Sequence, residues 1–509
     1  MGVRSHYPVV IVGAGPVGVA AATLLAQYGV ESLILDRWAG VYPQPRAVHL
    51  DDEVYRILGR IGIGEQFAAI SRPALGLRLL DPDLRELAEF RRDASLSRHG
   101  YPQANMFDQP ELEALLRSNL ERRPKARLRM NAEVTDLDVL GDGRTRITFT
   151  DRADGSQHSL GCDYLLGCDG ANSSVRKHIG ARMRDMRFEQ RWLVVDVDSG
   201  EDLRQWDGVH QVCDPHRAGT FMRVGRSRYR WEFRLLPGES SEDFGSLAAL
   251  RPLIAPWLGS VADGQLRLIR VAEYTFRAQL ADRWRRGNTF LLGDAAHLTP
   301  PFIGQGLCAG LRDAMNLSWK LAGVLGGGLP AEALDTYQAE RKPHVRQLIL
   351  LALTVGQVMT AGGRLGTALR RLVAPRLRFV PGLAARLLDS RTPALSRSAL
   401  VRSGRGGGRL RGPGLAGTLC PNAVTATGER LDDVVGSGFA LITTVPVSRE
   451  QKDALEQRHA SIHVAPPGTE LAEWLDRGGV RAAIVRPDFT VMSADRNLAT
   501  LCATLPVLG

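Results

Sequence analysis

The stretch Gly13-Ala-Gly15-Pro16-Val-Gly18 constrains this chain more than any other. It follows an apolar, β-branched run, Tyr7 to Val12, and precedes an Ala/Leu-rich run, Ala20 to Leu25. A GxGxxG pattern says little alone, but between a strand and a helix it stands in the context that gives it meaning. Gly13 then permits a tight turn, Gly15 lets the backbone approach a pyrophosphate, and Gly18 lets helix and sheet pack closely. The helix N-terminus faces the phosphate charge. A second strand, Ser32 to Leu35, ends at Asp36, where a carboxylate can accept both ribose hydroxyl protons. The motif does not distinguish FAD from NAD.

Two more stretches bear on chemistry. In Asp163-Tyr-Leu-Leu-Gly-Cys-Asp169-Gly170-Ala-Asn-Ser173-Ser-Val-Arg176, an acid-Gly pair follows a strand and precedes a helical first turn. It reads as a capped turn that fixes a loop, or equally as an ordinary N-capped helix. The third stretch, Gly293 to Gly306, reads GDAAHLTPPFIGQG and holds no Cys, one His and three Gly. Such a loop cannot do chemistry through its side chains alone. Asp294, at a strand end, can hydrogen-bond a polyol chain. Pro300, Pro301 and Gly304 leave N–H groups around Gly306 and Leu307 free to face a ligand, and the following helix adds its positive dipole end.

At 509 residues and 44% hydrophobic content the chain has ample core for several domains. The net charge of +10 comes almost wholly from Arg. No basic run is interleaved with aromatics, so nucleic acid is not an expected partner. The N-terminus lacks an apolar signal region, and the longest apolar run, Leu348 to Met359, is too short to span a bilayer. The six cysteines form no CxxC pair and no zinc-like spacing, so we expect reduced thiols in a cytoplasmic protein and no metal.

An α/β pattern fills residues 1–184. Short alternating runs such as Trp192-Leu-Val-Val-Asp196 and Arg228-Tyr-Arg-Trp231-Glu-Phe233 then predict an inserted, half-exposed antiparallel sheet over 185–285. The α/β pattern resumes over 286–400 and becomes helical and Arg-rich. A Gly/Arg connection starting at Arg402 leads to a small α/β domain over 401–509.

Together the three motifs resemble those of single-component flavoprotein aromatic hydroxylases of the p-hydroxybenzoate hydroxylase kind, over about residues 1 to 400. The chain is most similar to the 3-(3-hydroxyphenyl)propionate and polyketide hydroxylase group, through Gln44-Pro-Arg46-Ala-Val-His49-Leu-Asp-Asp-Glu53, Arg228 to Phe233, and Gly304-Gln-Gly306 through Arg312-Asp313 to Leu321. The resemblance implies a Rossmann-like FAD domain, an inserted substrate sheet and a redox-inert thioredoxin-like C-terminal domain. It implies FAD held by Gly13, Gly15, Pro16, Gly18, Asp36, Arg37, Arg46, Gln109, Val134, Asp169, Asp294, Pro301, Gly304, Gly306 and Leu307. Asp36 replaces the Glu common at its position, a change of one methylene. NADPH or NADH would be the co-substrate, without a domain of its own, and a homodimer is allowed.

The implied chemistry is transfer of oxygen from a flavin 4a-hydroperoxide, kept in a dry pocket, to a phenol ring. Holding a phenol of pKa near 10 as phenolate at pH 7 requires about 4 kcal/mol of local stabilisation. Arg46, His49, Tyr229 or His210 could supply it, and we take His49 first because it follows Arg46 on a strand-like segment. A halogenase would need a WxWxIP signature, which Trp192, Trp206, Trp231 and Trp257 do not provide.

Overall fold

The computed structural model describes residues 4–42, 47–92, 95–360, 392–402 and 414–507. Arg46 and most of the Gly/Arg connection lie outside the described residues.

The first sheet has eight strands and is parallel at its centre, where His6–Val12 lies between Gln157–Gly167 and Ser32–Leu35. Val9, Val10 and Ile11 have no exposed surface, as expected of a strand covered on both faces. One cover is Pro16–Gln27, whose Ala20, Ala21 and Ala22 let it lie close to the sheet. The helix Gly306–Leu325 packs beside it and is buried from Cys308 to Gly323. The expected strands near 128–134, 146–150 and 163–167 are present, the first divided into Ala126–Arg129 and Ala132–Val139.

The second sheet also has eight strands and is mostly antiparallel. Its long members, Met183–Ser199 and Leu266–Ala281, pair along nearly their whole length. Sequence texture places this sheet within 185–285, but Gly76–Leu80 and Glu86–Arg91 form one edge and His297–Leu298 the other. The 76–80 strand joins in parallel to Val209–Val212, a pairing across more than a hundred residues that local alternation does not reveal.

On one face of this sheet Tyr229, Trp231 and Phe233 join Leu193, Val195, Phe221 and Trp257 in a closed core beneath the helix Leu247–Leu258. Side chains alternate along a strand, so Arg230 and Glu232 point to the other face with Asp196 and Arg270. A three-stranded sheet, His49–Asp51, Ala104–Phe107 and Ser71–Pro73, packs against the cores of both large ones.

The C-terminal segment folds around four strands in the order Ser461–Val464, Ala440–Thr443, Ala482–Val485, Val491–Asp495, of which only the first two pair in parallel. It docks on the first part through buried ions. Arg56 donates to both carboxylate oxygens of Asp432 at 2.7 and 2.6 Å and to the carbonyl of Cys420. Arg486 pairs with Glu340 at 2.9 Å, and Glu340 pairs with Lys320 at 2.8 Å. No helix among the described residues is long and apolar enough to cross a membrane.

Candidate active site

The three sequence motifs meet. Gly13 turns with φ +104°, and a Cβ on it would lie 2.4 Å from the Cys168 carbonyl oxygen and 3.1 Å from the Asp169 Cα. A Cβ on Gly18 would lie 2.0 Å from the Gly13 carbonyl oxygen, so helix and turn touch as backbone. Gly293 faces Val17 at 3.2 Å, which brings the third motif against the first. Gly15 and Gly306 differ from these: nothing stands within 4 Å of the Cβ either would carry. Each begins or adjoins a helix with no side-chain cap and no acid in its first turn. Two uncapped helix ends with open space in front of them are a cradle for negative charge.

Around the cradle, Asp36 accepts from the Ala14 and Trp38 amides at 2.5 and 2.8 Å. A carboxylate has further lone pairs for a ribose beyond these two bonds. Pro16 is the first helical residue, and Arg37 lies over the half-exposed Trp38 ring at 5.4 Å. Gln109 heads the helix Gln109–Glu121, accepts from the Ala47 amide at 2.7 Å and donates to Glu113. Val134 pairs with Phe149 at a bulge. Asp169 uses Oδ2 to accept from the Ser174 and Val175 amides, while its Oδ1 is buried without a hydrogen bond. Asp294 lies in the turn Gly293–Ala295. Pro301 starts the turn that ends at Gly304, and Gly306 and Leu307 open the long helix.

Buried ions from two of the resemblance motifs, given no role from sequence, hold this loop. Arg312 reaches Asp51 at 2.6 Å, Glu53 at 2.9 Å and the Gln305 side chain at 2.9 Å. Burial alone would raise the Asp51 pKa, but Arg312 and Gln305 hold it below the usual carboxylate range. The next residue, Asp313, accepts from the Gly293 amide at 3.1 Å, pairs with His297 at 2.9 Å and with Arg341 at 2.8 Å. The signal for these was present: Arg312, Asn316 and Lys320 recur every four residues, with Asp313 beside the first, in a mostly apolar helix.

The expected phenol-activating residues fare differently. His49 lies under the Gly304 turn, where a Cβ would be 2.6 Å from its Nδ1. Burial and the nearby Arg92 lower its pKa to about 4, so it is neutral at physiological pH. Tyr229 is on the closed face: its hydroxyl accepts from the Leu203 amide at 3.3 Å and donates to Asp202 at 3.4 Å. His210 sits in the same core, accepting from the Trp257 indole at 3.3 Å, with its pKa lowered to about 4 by burial. Strand alternation places Tyr229 in the closed core.

Residues 6–352 match the family described as FAD binding domain. The chain belongs to this family. Within it the chain is 33% identical, over 95% of its length and 93% of the relative's, to a 3-(3-hydroxy-phenyl)propionate/3-hydroxycinnamic acid hydroxylase of Burkholderia cenocepacia (strain HI2424). It is 31% identical, over 98% and 94%, to a probable NADH-specific resorcinol 4-hydroxylase of Rhodococcus jostii (strain RHA1). Among solved structures, aklavinone-11 hydroxylase with FAD and aklavinone matches over 100% of both chains, with TM-score 0.82 and 24% identity. That likeness bears on the fold alone. The chain is an FAD-dependent aromatic monooxygenase.

Proposed function

We propose that this family member hydroxylates a monocyclic phenol on the ring carbon ortho or para to its hydroxyl. The observation that carries the reading is the contact of all three glycine motifs around two open helix ends, beside a sheet face that carries buried charge. Relatives above 30% identity that act on monocyclic phenols span nearly the whole chain, which favours this class over larger polycyclic substrates.

In this reading Gly13, Gly15, Pro16 and Gly18 receive the diphosphate of FAD. Asp36 and Arg37 hold its adenosine end with Val134, while Gln109, Arg46, Asp169 and Asp294 serve the phosphate and ribityl parts. The Pro301–Leu307 loop lies along the ring system. When bound, FAD supplies the redox chemistry, moving electrons from the nicotinamide to dioxygen and one oxygen atom to the phenol. The protein's share is to orient the phenol, exclude water and manage its protons. Neutral His49 packs the loop and is a weak proton acceptor at pH 7.

The finer architecture is part of the proposal: a Rossmann-like domain from 1–184 and 286–400, a substrate sheet inserted at 185–285, and a thioredoxin-like domain over 401–509. The βαβαββα order from Ala440 to Cys502, after the short helix Leu431–Val435, and its single parallel pair support it. Burial pushes the Cys420 thiol up to about 12 and raises that of Cys502, which supports a structural rather than a redox role. Six cysteines outside any disulfide support a cytoplasmic location.

The test is oxidation of NADH and of NADPH with resorcinol, 3-(3-hydroxyphenyl)propionate and a polycyclic phenol, counting peroxide and hydroxylated product separately. Coupled product from a monocyclic phenol is the expected result. Stimulation by the polycyclic phenol alone would replace the substrate class, and stimulation by none would remove the reading.

A further inference from the structure

Glu232 stands on the open face of the substrate sheet, and its surroundings set it apart from every other acid there. Asp196, fully buried, accepts from Arg230 at 2.6 and 2.9 Å and pairs with Arg270 at 3.0 Å. Two arginines thus converge on one carboxylate. The Glu232 side chain is only 13% exposed, yet its nearest ion is the Arg230 Nη1 at 4.0 Å. Among the described residues no N–H or O–H donates to it. Its oxygens are not among the fully buried atoms that lack a partner, so they keep open lone pairs for a donor from a bound molecule.

The direction in which Glu232 faces is fixed by its neighbours. Its cross-strand partners are Val194 and Thr220. Trp192, two residues from Val194 on the same face, meets Phe302 of the Pro301–Ile303 turn, with ring centroids 6.2 Å apart. Met222, two residues from Thr220, packs in one cluster with Met106 and Val48, the residue before His49. The cofactor loop and the His49 strand therefore flank the patch of sheet from which Glu232 projects.

We propose that Glu232 is the proton acceptor for the hydroxyl of the bound phenol. The proposal rests on the phenol-hydroxylase reading above. As the ring carbon bonds to the incoming oxygen, the phenolic O–H breaks and its electron pair moves into the ring. The proton passes to the Glu232 carboxylate. The proton on the attacked carbon leaves to solvent, its C–H electron pair returns to the ring and restores aromaticity, and Glu232 returns its proton to the oxygen that gave it. The electrons that reduce the second oxygen atom to water come from the reduced nicotinamide of the proposed function.

The charged groups facing Glu232 suit this task. Arg230 on its own strand, Asp196 on the 183–199 strand, and Arg270 with Tyr274 on the 266–281 strand balance two cations against two carboxylates. The 219–223 strand offers only Thr220 and Met222 on this face. Burial raises the Glu232 pKa against the pull of Arg230, with Asp196 adding to the rise. A carboxylate moved towards neutral pH is a better match for accepting a proton there.

The test compares wild-type holoenzyme with Glu232→Gln and Glu232→Asp, each first shown to retain FAD and native circular dichroism. Flavin absorbance is titrated with resorcinol and with its dimethyl ether, which has no proton to donate. Product formation is followed from pH 5 to 9. We expect wild type to bind resorcinol more tightly than the ether, and Glu232→Gln to lose that preference. Hydroxylation should fall about 10²- to 10⁴-fold in Glu232→Gln, with loss of the acid limb of the pH profile, while Glu232→Asp recovers part of both. A Glu232→Gln enzyme with unchanged preference, rate and pH profile would overturn the role of Glu232 alone. A wild type that neither binds nor hydroxylates any phenol tested would overturn the phenol reading and this proposal with it.

Discussion

Replacing Glu340 by Gln tests how the C-terminal part is held to the cofactor helix. Glu340 is wholly buried and meets Arg486 at 2.9 and 3.0 Å, Lys320 at 2.8 Å, the Asn316 amide at 2.9 Å and the Ser398 hydroxyl at 2.6 Å. Burial alone would raise its pKa, but Arg486 and Lys320 outweigh that and hold it below the carboxylate range. In the variant Arg486 keeps Asp488, whereas Lys320 keeps a direct bond only to the Asn316 oxygen at 2.7 Å. Removing one member of a buried ion pair costs about 3–5 kcal/mol, because the other charge remains buried without its partner. Lys320 also gives the pH dependence. Burial lowers its pKa to about 8, against the pull of Glu340. Without Glu340 it falls further. Between that lower value and 10.5 the unfolded chain binds the extra proton, so the variant's stability rises with pH. Its deficit relative to wild type should therefore shrink from pH 6 to pH 9. Urea unfolding of the holoenzyme, followed by circular dichroism at both pH values, measures it, and adding Lys320→Met should recover at least about 1 kcal/mol. A Glu340→Gln enzyme within about 1 kcal/mol of wild type, or a deficit that widens with pH, would refute the reasoning.

Gly18→Ala should weaken FAD retention: overpacking against the Gly13 carbonyl costs about 1–3 kcal/mol, more than the roughly 1 kcal/mol gained in helix propensity. Flavin content after gel filtration reads it, and full retention would contradict the close packing. Gly304→Ala places a side chain at φ +64° and 2.6 Å from His49 Nδ1. We expect more peroxide per NAD(P)H, and unchanged coupling would show that the turn adapts. His49→Gln should leave the pH–rate profile between pH 5 and 8 without a lost ionisation, since His49 protonates only near pH 4. Cys420→Ser with Cys502→Ser should retain coupled hydroxylation, and a selective loss of coupling would assign these thiols a redox part.

The backbone geometry of the glycine motifs was legible in the sequence because its physics is local. A turn with positive φ, a helix end and a strand-terminal acid are set by residues within one βαβ unit, so Gly13, Gly15, Gly18 and Asp36 declare themselves by type and spacing. Glycine motifs also name the chemistry by what they omit, since bare amides suit a ligand that brings its own reactivity. The substrate half was not legible. Which of Tyr229, Arg230 and Glu232 faces the site depends on which face of the sheet the 247–258 helix covers, and period-two alternation leaves that choice open. Likewise Arg312, Asp313 and Lys320 gain their partners from strands and helices far away in sequence. Backbone geometry for a cofactor is written in neighbouring residues. The pairing of buried charges, and with it the identity of the group that handles the substrate's proton, was decided only when distant strands closed over one another.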